Sequence, residues 1–298
     1  MTSPPAANAP RVTAIIIVFN GEAFIDEAIE SVTAQTFEDW ELLVIDDGST
    51  DGTIERVQRA IMADPDRIRL LRHLDHGNHG MSATRNLGLA AARGDYVGFL
   101  DADDVWLPEK LAEQVAILDA EPSTAMVYGR TLIWHGWNAV SDKGDYFYSL
   151  GVEPGRTHPA PTLFHQLLRN VHQTPTTCNA LMRRSAVEAV GGFDPAFRTM
   201  FEDQIFFAKI LLDYPVHVAG RCWAKYRQHP GATTATLTSA EEEYRAHLRY
   251  LRALRAHLRR RGHNISRARC SLETTVSKLR LRHAATRLRR WLANRVRR

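Results

Sequence analysis

Val12-Thr-Ala-Ile-Ile-Ile-Val-Phe19 is a near-continuous apolar, β-branched run, the pattern of a strand buried on both faces. Asn20-Gly21 breaks it. Phe24, Ile25, Ala28, Ile29 and Val32 then recur at helical spacing within 22–34. Leu42-Leu-Val-Ile45 predicts a second strand, and the stretch from Thr53 to Met62 a helix, with Ser49, Thr50 or Asp51 available as its cap. A third strand over 68–71, a third helix over 82–92 and a fourth strand over 96–100 continue the series. Strand–helix alternation of this kind predicts right-handed βαβ units wound into one sheet. Ligands of such sheets bind beyond the carboxyl ends of the strands.

Past Pro108 the alternation weakens. The pattern predicts a helix over 109–119, hairpin-like runs rich in Trp and Tyr over 125–150, helices over 163–168 and 203–212, and a strand over 216–226. Near the end, Tyr244, Leu248, Leu251, Leu254 and Leu258 form one helical stripe. Leu272, Val276, Leu279, Leu288, Trp291 and Leu292 form another.

Charge sharpens this division. The chain of 298 residues has 38 Lys+Arg against 34 Asp+Glu, a net charge of +4. Residues 240–298 alone hold 18 basic and 4 acidic side chains, which leaves 20 basic and 30 acidic in the rest. The chain therefore reads as an acidic body with a basic helical end. That end has three readings: helices packed on the body with a cationic outer face, an anionic membrane surface as partner, or a subunit contact in a homo-oligomer. Nucleic acid is not expected, since no recognition motif accompanies the charge. The composition, 44% apolar and 24% charged, excludes disordered and collagenous classes. Cys178, Cys222 and Cys270 are far apart and form no zinc-ligand spacing, which fits a reducing cytoplasm. Residues 1–10 lack the basic and apolar regions of a signal peptide and read as a loose tail.

Two of the four regular strands end in acidic clusters, Asp46-Asp47-Gly48-Ser49-Thr50-Asp51 and Asp101-Ala-Asp-Asp104. Residues i and i+2 of an extended segment share a side, so Asp101 and Asp103 would face one ligand together. Hard oxygen donors with water and diphosphate oxygens suit Mg²⁺ or Mn²⁺. The alternative is that they only cap a turn, the role Asp104 suits best. A carboxylate in the first cluster can accept a hydrogen bond from a nucleobase N–H, or serve an Asx turn before the helix. His73, His76 and His79 lack a carboxylate set and read as solvated or acceptor-facing. Trp134, Trp137, Tyr146, Phe147 and Tyr148 read as core or as a sugar-stacking surface.

The residues 12–20, Ser31-Val-Thr-Ala-Gln-Thr36, Asp46–Thr53, Gly80-Met-Ser-Ala-Thr-Arg-Asn-Leu-Gly88 and Gly94-Asp-Tyr-Val-Gly-Phe-Leu-Asp-Ala-Asp-Asp104 follow in order at familiar spacings. Together they closely resemble family 2 glycosyltransferases of the GT-A fold. The resemblance is strong over 12–110. It continues through Ala180–Arg184, Gly191–Asp194 and Phe201-Glu-Asp203 to Tyr226-Arg-Gln-His-Pro-Gly231, and excludes 240–298. It implies a Rossmann-like, doubly wound mixed sheet: a tail over 1–10, a catalytic domain over 11–238 (nucleotide-sugar half 11–107, acceptor half 108–238), and a helical extension over 239–298.

The resemblance also implies roles. Phe19 would lie near the base of a UDP- or dTDP-sugar and Glu22 near its nucleoside. Asp47 would accept from the base N–H. Asp101 would sit by the ribose or the metal's water, with Asp103 the direct ligand of Mn²⁺ or Mg²⁺ and His229 a second contact. Arg85 would touch donor phosphates or sugar, unless Arg85-Asn86 is a helix-face ion pair and amide cap. Asp203 would be the catalytic base, because an attacking sugar hydroxyl must lose a proton, whereas a metal-neutralised diphosphate leaves without an acid. A helix cap is the other role open to Glu202-Asp203. Val18 departs from the family's frequent proline. The implied activity is inverting transfer of a sugar to a glycan or lipid-linked hydroxyl at the cytoplasmic face of the membrane. The alternatives are a nucleotidyltransferase, disfavoured because Asn20-Gly21-Glu22-Ala23 lacks a basic triphosphate grip, and a non-catalytic nucleotide-sugar binder or scaffold.

Overall fold

The computed structural model describes residues 9–198, 200–231, 239–260 and 266–296, with side chains of the last helix through residue 286. The elements run β1 (Val12–Val18), α1 (Ile25–Thr33), β2 (Trp40–Asp46), α2 (Thr53–Ala63), β3 (Ile68–Arg72), α3 (Met81–Ala91), β4 (Tyr96–Asp101), β5 (Val105–Trp106) and α4 (Lys110–Ala120). The second half holds β6 (Met126–Trp134), β7 (Arg156–His158), α5 (Thr162–Arg169), β8 (Ala180–Arg183), α6 (Arg184–Ala189), α7 (Glu202–Asp213), β9 (Val216–Arg227), α8 (Ala240–Arg260) and α9 (Ser266–Val296).

One sheet runs through the molecule in the order β3-β2-β1-β4-β8-β6-β9-β5, with β7 added on β9. The first four members are parallel, β8 joins β4 and β6 antiparallel, and β9 runs parallel to β6. This is the mixed GT-A-like sheet. Every residue of β1 and β2 is buried. Alternate side chains feed opposite faces, because successive residues of a strand point to opposite sides. Ile15 and Ile17 pack with α5 and α7 residues such as Phe164 and Phe206, while Ala14 and Ile16 pack with Ile29, Val57 and Leu111 of the opposite layer. Gly88 lets α3 lie close on the sheet: a Cβ there would stand 2.6 Å from Ile15 Cγ2.

The expected hairpins over 125–150 are instead a single nine-residue strand, β6, which pairs with the following loop at the isolated Ile133–Tyr146 bridge. Its strong pairing with β9 is long-range, and sequence periodicity carries no information on such a partner. The short elements β5, β7, β8 and α6 have no periodicity of their own to read.

The basic end packs on the body. Tyr250, Leu251, Leu254 and Leu258 of α8 and Ala268, Leu272 and Val276 of α9 are buried in the same apolar layer as α5 and α7. Tyr244, Leu248 and Leu279 are half-buried. Leu288, Trp291 and Leu292 lie outside the described side chains, as do residues 1–8 of the expected tail and 232–238 at the expected domain end. Arg249, Arg252, Arg259, Arg267, Arg280 and Arg282 face outward. Among the described residues no helix is long and apolar enough to cross a membrane.

Candidate active site

A cavity of about 700 Å³ opens beyond the carboxyl ends of β1 and β4. Phe19, Asp47, Asp101, Asp103, Asp203 and His229 all line it. Its size is ordinary for a ligand site. Of the eight expected site residues, Glu22 and Arg85 stand outside this lining.

Arg85 lies beneath the floor rather than on it, 1% exposed. Its Nη2 donates to Asp101 Oδ1 at 2.6 Å, and its Nη1 donates to Glu202 Oε1 at 3.4 Å. Thr177 Oγ1 donates to the other Asp101 oxygen at 3.0 Å. The neighbouring Asn86 clasps the backbone of Phe193, donating to its carbonyl at 2.8 Å and accepting its N–H at 2.9 Å. These ion pairs and the amide clasp join α3 to the loop leading into α7.

Asp103 and His229 meet directly, Oδ2 to Nε2 at 2.9 Å. The fold explains the meeting. β5 follows Asp104 and pairs antiparallel with the end of β9, Val105 opposite Lys225. That pairing brings the residues after β9 back over the acidic turn. Asp104 turns inward: it is buried and accepts the Arg227 N–H at 3.0 Å. Burial, and the charges of Asp103 and Asp101, push its carboxyl well above the ordinary range. Buried Arg227 donates to the Asp103 carbonyl at 2.7 Å and pairs with Glu27. Its guanidinium lies against the rings of Phe24, Trp134 and Trp137. Phe24 and Trp137 in turn pack on His229. Trp134 and Trp137 thus support the Asp103–His229 wall from behind, and Tyr146, Phe147 and Tyr148 stand half-exposed off the cavity lining.

Asp47 is buried at the cavity edge, and its two oxygens accept the His79 and Gly80 N–H groups at 2.7 and 2.9 Å. It thereby anchors the 73–80 loop, within which His73 and the exposed His79 stack at 4.0 Å. Gly48, at φ +88°, makes this approach possible, since a Cβ would sit 2.8 Å from the His76 carbonyl oxygen. Glu22 turns away, accepting the Gly52 N–H at 3.1 Å and pairing with Arg56. Phe19 is 51% exposed, an apolar platform at the rim.

Asp203 stands in the first turn of α7, and its Oδ1 accepts the Gln204 N–H at 2.7 Å. Burial first, and the Glu202 charge second, push its carboxyl up to about 7, against the opposing pull of Arg85. A carboxylate with proton affinity near neutral suits a general base. Cap and base are compatible roles for this one group.

The family model for glycosyl transferase family 2 matches residues 13–191. The chain belongs to this family. A glycosyltransferase of Rickettsia felis is 30% identical over 235 residues, covering 78% of this chain and 37% of its own length. The putative glycosyltransferase EpsE of Bacillus subtilis is 37% identical over 192 residues, covering 64% of this chain and 63% of its own. This chain thus spans little more than a third of the Rickettsia felis relative. Among solved structures, S. aureus TarS 1–349 in complex with UDP-GlcNAc superposes with a TM-score of 0.64 at 20% identity, covering 82% of this chain and 66% of that one. The mannosyltransferase PcManGT from Pyrobaculum calidifontis, in complex with GDP-Man and Mn2+, gives 0.59 at 21%, covering 92% and 70%. These likenesses bear on the fold.

Within this family 2 chain, sequence reasoning passed over Phe201, Met200, Arg198, Asn78 and Thr177, which also line the cavity. Phe201 adjoins the Glu-Asp pair and was legible as a neighbour. The others sit in irregular loops with no pattern to read. Arg227 lies within the Tyr226–Gly231 motif, but its partners Phe24, Trp134 and Trp137 are distant in sequence and leave no local signal.

Proposed function

We propose that the chain transfers a sugar from a nucleoside-diphosphate sugar, UDP- or dTDP-linked, to a hydroxyl of a glycan or lipid-linked acceptor, with inversion at the anomeric carbon. The observation that carries this reading is the shared cavity, with Asp203 on the α7 side and the Asp103–His229 pair on the β4–β9 side. Asp203 takes the proton of the attacking hydroxyl. Phe19 offers a face to the base, and Asp47 keeps lone pairs for a base N–H beyond the two it already serves.

A divalent ion fits the donors present. Asp103 Oδ2 and His229 Nε2, 2.9 Å apart, would hold it together. Among the described residues no third His, Cys, Asp or Glu joins them. That suits an ion completed by diphosphate and water, as Mg²⁺ sites commonly are. When bound, Mn²⁺ or Mg²⁺ supplies the charge that stabilises the departing diphosphate. Asp101, held by Arg85 and Thr177, stays fixed beside it.

The outward arginines of α8 and α9 support a peripheral position on an anionic inner membrane face, where a lipid-linked acceptor would lie. Sedimentation with vesicles containing and lacking phosphatidylglycerol tests this; equal sedimentation would end the membrane part. For the main reading, thermal shifts with UDP-glucose, UDP-GlcNAc, dTDP-glucose and GDP-mannose, each with and without Mn²⁺, are the test. A shift for a UDP- or dTDP-sugar that depends on Mn²⁺ and is lost in Asp103→Ala is expected, and a shift for GDP-mannose alone would overturn the nucleobase assignment. Stabilisation by none of them would refute it.

A further inference from the structure

Phe201 is the residue before Glu202 and Asp203, and it adopts φ +62°, a left-handed conformation that an aromatic residue takes only when its surroundings hold it there. Those surroundings come from α8. The Phe201 ring stacks on Tyr250 at 5.1 Å and 9°, and on His247 at 5.0 Å and 27°. Tyr250 is buried, next to Leu251 and one turn before Leu254, which fix α8 in the apolar layer. The other end of the stack is the active site: Phe201 lines the cavity, and its carbonyl accepts the Ile205 N–H that closes the first turn of α7. The chain is thus turned sharply at the one point that decides where Asp203 enters the cavity, and the restraint on that turn lies in the basic extension, outside the stretch matched by the family model.

We propose that α8 is a working part of the active site, its His247 and Tyr250 rings clamping Phe201 in the left-handed conformation that aims Asp203 at the acceptor hydroxyl. Tyr250 and His247 are positioning residues; neither lines the cavity. The stack acts through ring contact: the Tyr250 hydroxyl is enclosed and has no hydrogen-bond partner among the described residues, and its one link to the site is the nearby Asp203 charge. A phenylalanine at this position therefore preserves the clamp, whereas an alanine frees Phe201 to leave a strained backbone state.

The inference rests on Asp203 as the base, and the test separates the two. Wild type, Tyr250→Ala, Tyr250→Phe and Asp203→Asn are compared as full chains. Nucleotide release is measured with the donor that gives the Mn²⁺-dependent thermal shift, and hydrogen exchange is followed over 200–206. Tyr250→Ala is expected to lose at least tenfold in kcat, with donor KM within about twofold, and to exchange faster over 200–206. Tyr250→Phe is expected to restore both. Wild-type kcat in Tyr250→Ala beside an inactive Asp203→Asn overturns the clamp alone. Equal losses in Tyr250→Phe and Tyr250→Ala also overturn it. Turnover retained by Asp203→Asn overturns the base and the clamp together. Should Tyr250→Ala fail to fold, Tyr250→Leu fills the same layer without a ring and is held to the same outcomes.

Discussion

Arg85→Met removes a buried cation while keeping most of the apolar stem that packs under the sheet end. At an effective dielectric of about 20, a charge pair at 2.6 Å is worth about 6 kcal/mol and one at 3.4 Å about 5 kcal/mol, the distances from Arg85 to Asp101 and Glu202. Desolvation of the guanidinium offsets much of this. Removing one partner of such a group nevertheless costs about 3–5 kcal/mol, because the carboxylates stay behind. The loss should grow with pH. Arg85 pulls the Asp203 carboxyl down, so the variant holds that carboxyl protonated to a pH above the wild-type value of about 7. A carboxyl whose folded proton affinity is raised adds stability below its unfolded value, and the contribution is lost as pH rises to the folded value. In wild type that decline ends near 7; in Arg85→Met it continues above, at up to about 1.4 kcal/mol per pH unit. Urea unfolding of both proteins from pH 6 to pH 9 reads the effect. A loss under about 1 kcal/mol, or a difference that stays flat or narrows above pH 7, would refute the buried-triad argument. Arg85→Lys keeps the charge but not the fork, and should lie between the two.

Asp203→Asn cannot ionise, so it is expected to be more stable than wild type by about 1–3 kcal/mol above pH 7, converging toward pH 4, while nucleotide release is lost; chemical denaturation at the two pH values checks it. Lys110 is buried, donates to Gln114 Oε1 at 2.6 Å, and is held down to about 7 by burial. Its penalty is complete below 7 and gone above the unfolded value, so Lys110→Met should gain about 2 kcal/mol more at pH 6 than at pH 10, read by the same unfolding curves. Gly88→Ala drives a methyl to 2.6 Å from Ile15 Cγ2 and should cost about 1–3 kcal/mol, with unchanged donor affinity in titrations of folded protein. His229→Ala should lower Mn²⁺-supported UDP affinity at least tenfold and leave metal-free UDP affinity within about twofold; calorimetric titration separates the two.

The parallel half of the sheet was legible because each strand there is buried on both faces and announces itself as an apolar run, β1 most plainly. The acidic strand ends were legible for the same reason: a charge cluster after such a run has nowhere to go but the carboxyl edge of the sheet. What the sequence withheld were partners. Arg85 reads as a donor contact or a helix-face ion pair, and only the arrival of Glu202 from α7 shows which carboxylates it meets. The histidines at 73 and 79 read as solvated or acceptor-facing, and their mutual stacking was not legible because contact across a loop leaves no spacing rule. Tyr250 fell outside the Leu-based stripe of α8, since its packing partner, Phe201, comes from a loop with no periodicity. Residues that act through contact with a distant element are the ones a period of 3.6 or 2 cannot find.

The same observation explains how a site built from two halves of the chain keeps its shape. The first half supplies Asp47, Asp101 and Asp103, and the second half supplies Asp203 and His229. Two buried arginines join them. Arg85, from the first half, holds Asp101 and reaches Glu202 beside Asp203. Arg227, from the second, reaches back to the Asp103 carbonyl and to Glu27, with His229 two residues on. Each bridge crosses between halves at one wall of the cavity, so neither wall can shift without leaving a buried guanidinium unpaired. Lysine would serve neither place. A point charge could hold one partner, but the planar fork lets one side chain fix two at once and, at Arg227, lie flat against Phe24, Trp134 and Trp137 as well. On this argument Arg227→Lys should loosen His229 far more than Asp203. Metal-supported UDP affinity would fall while the pH at which Asp203 loses its proton stays in place. A shift of that pH in Arg227→Lys equal to the shift in Arg85→Met would show that the two walls are not held separately.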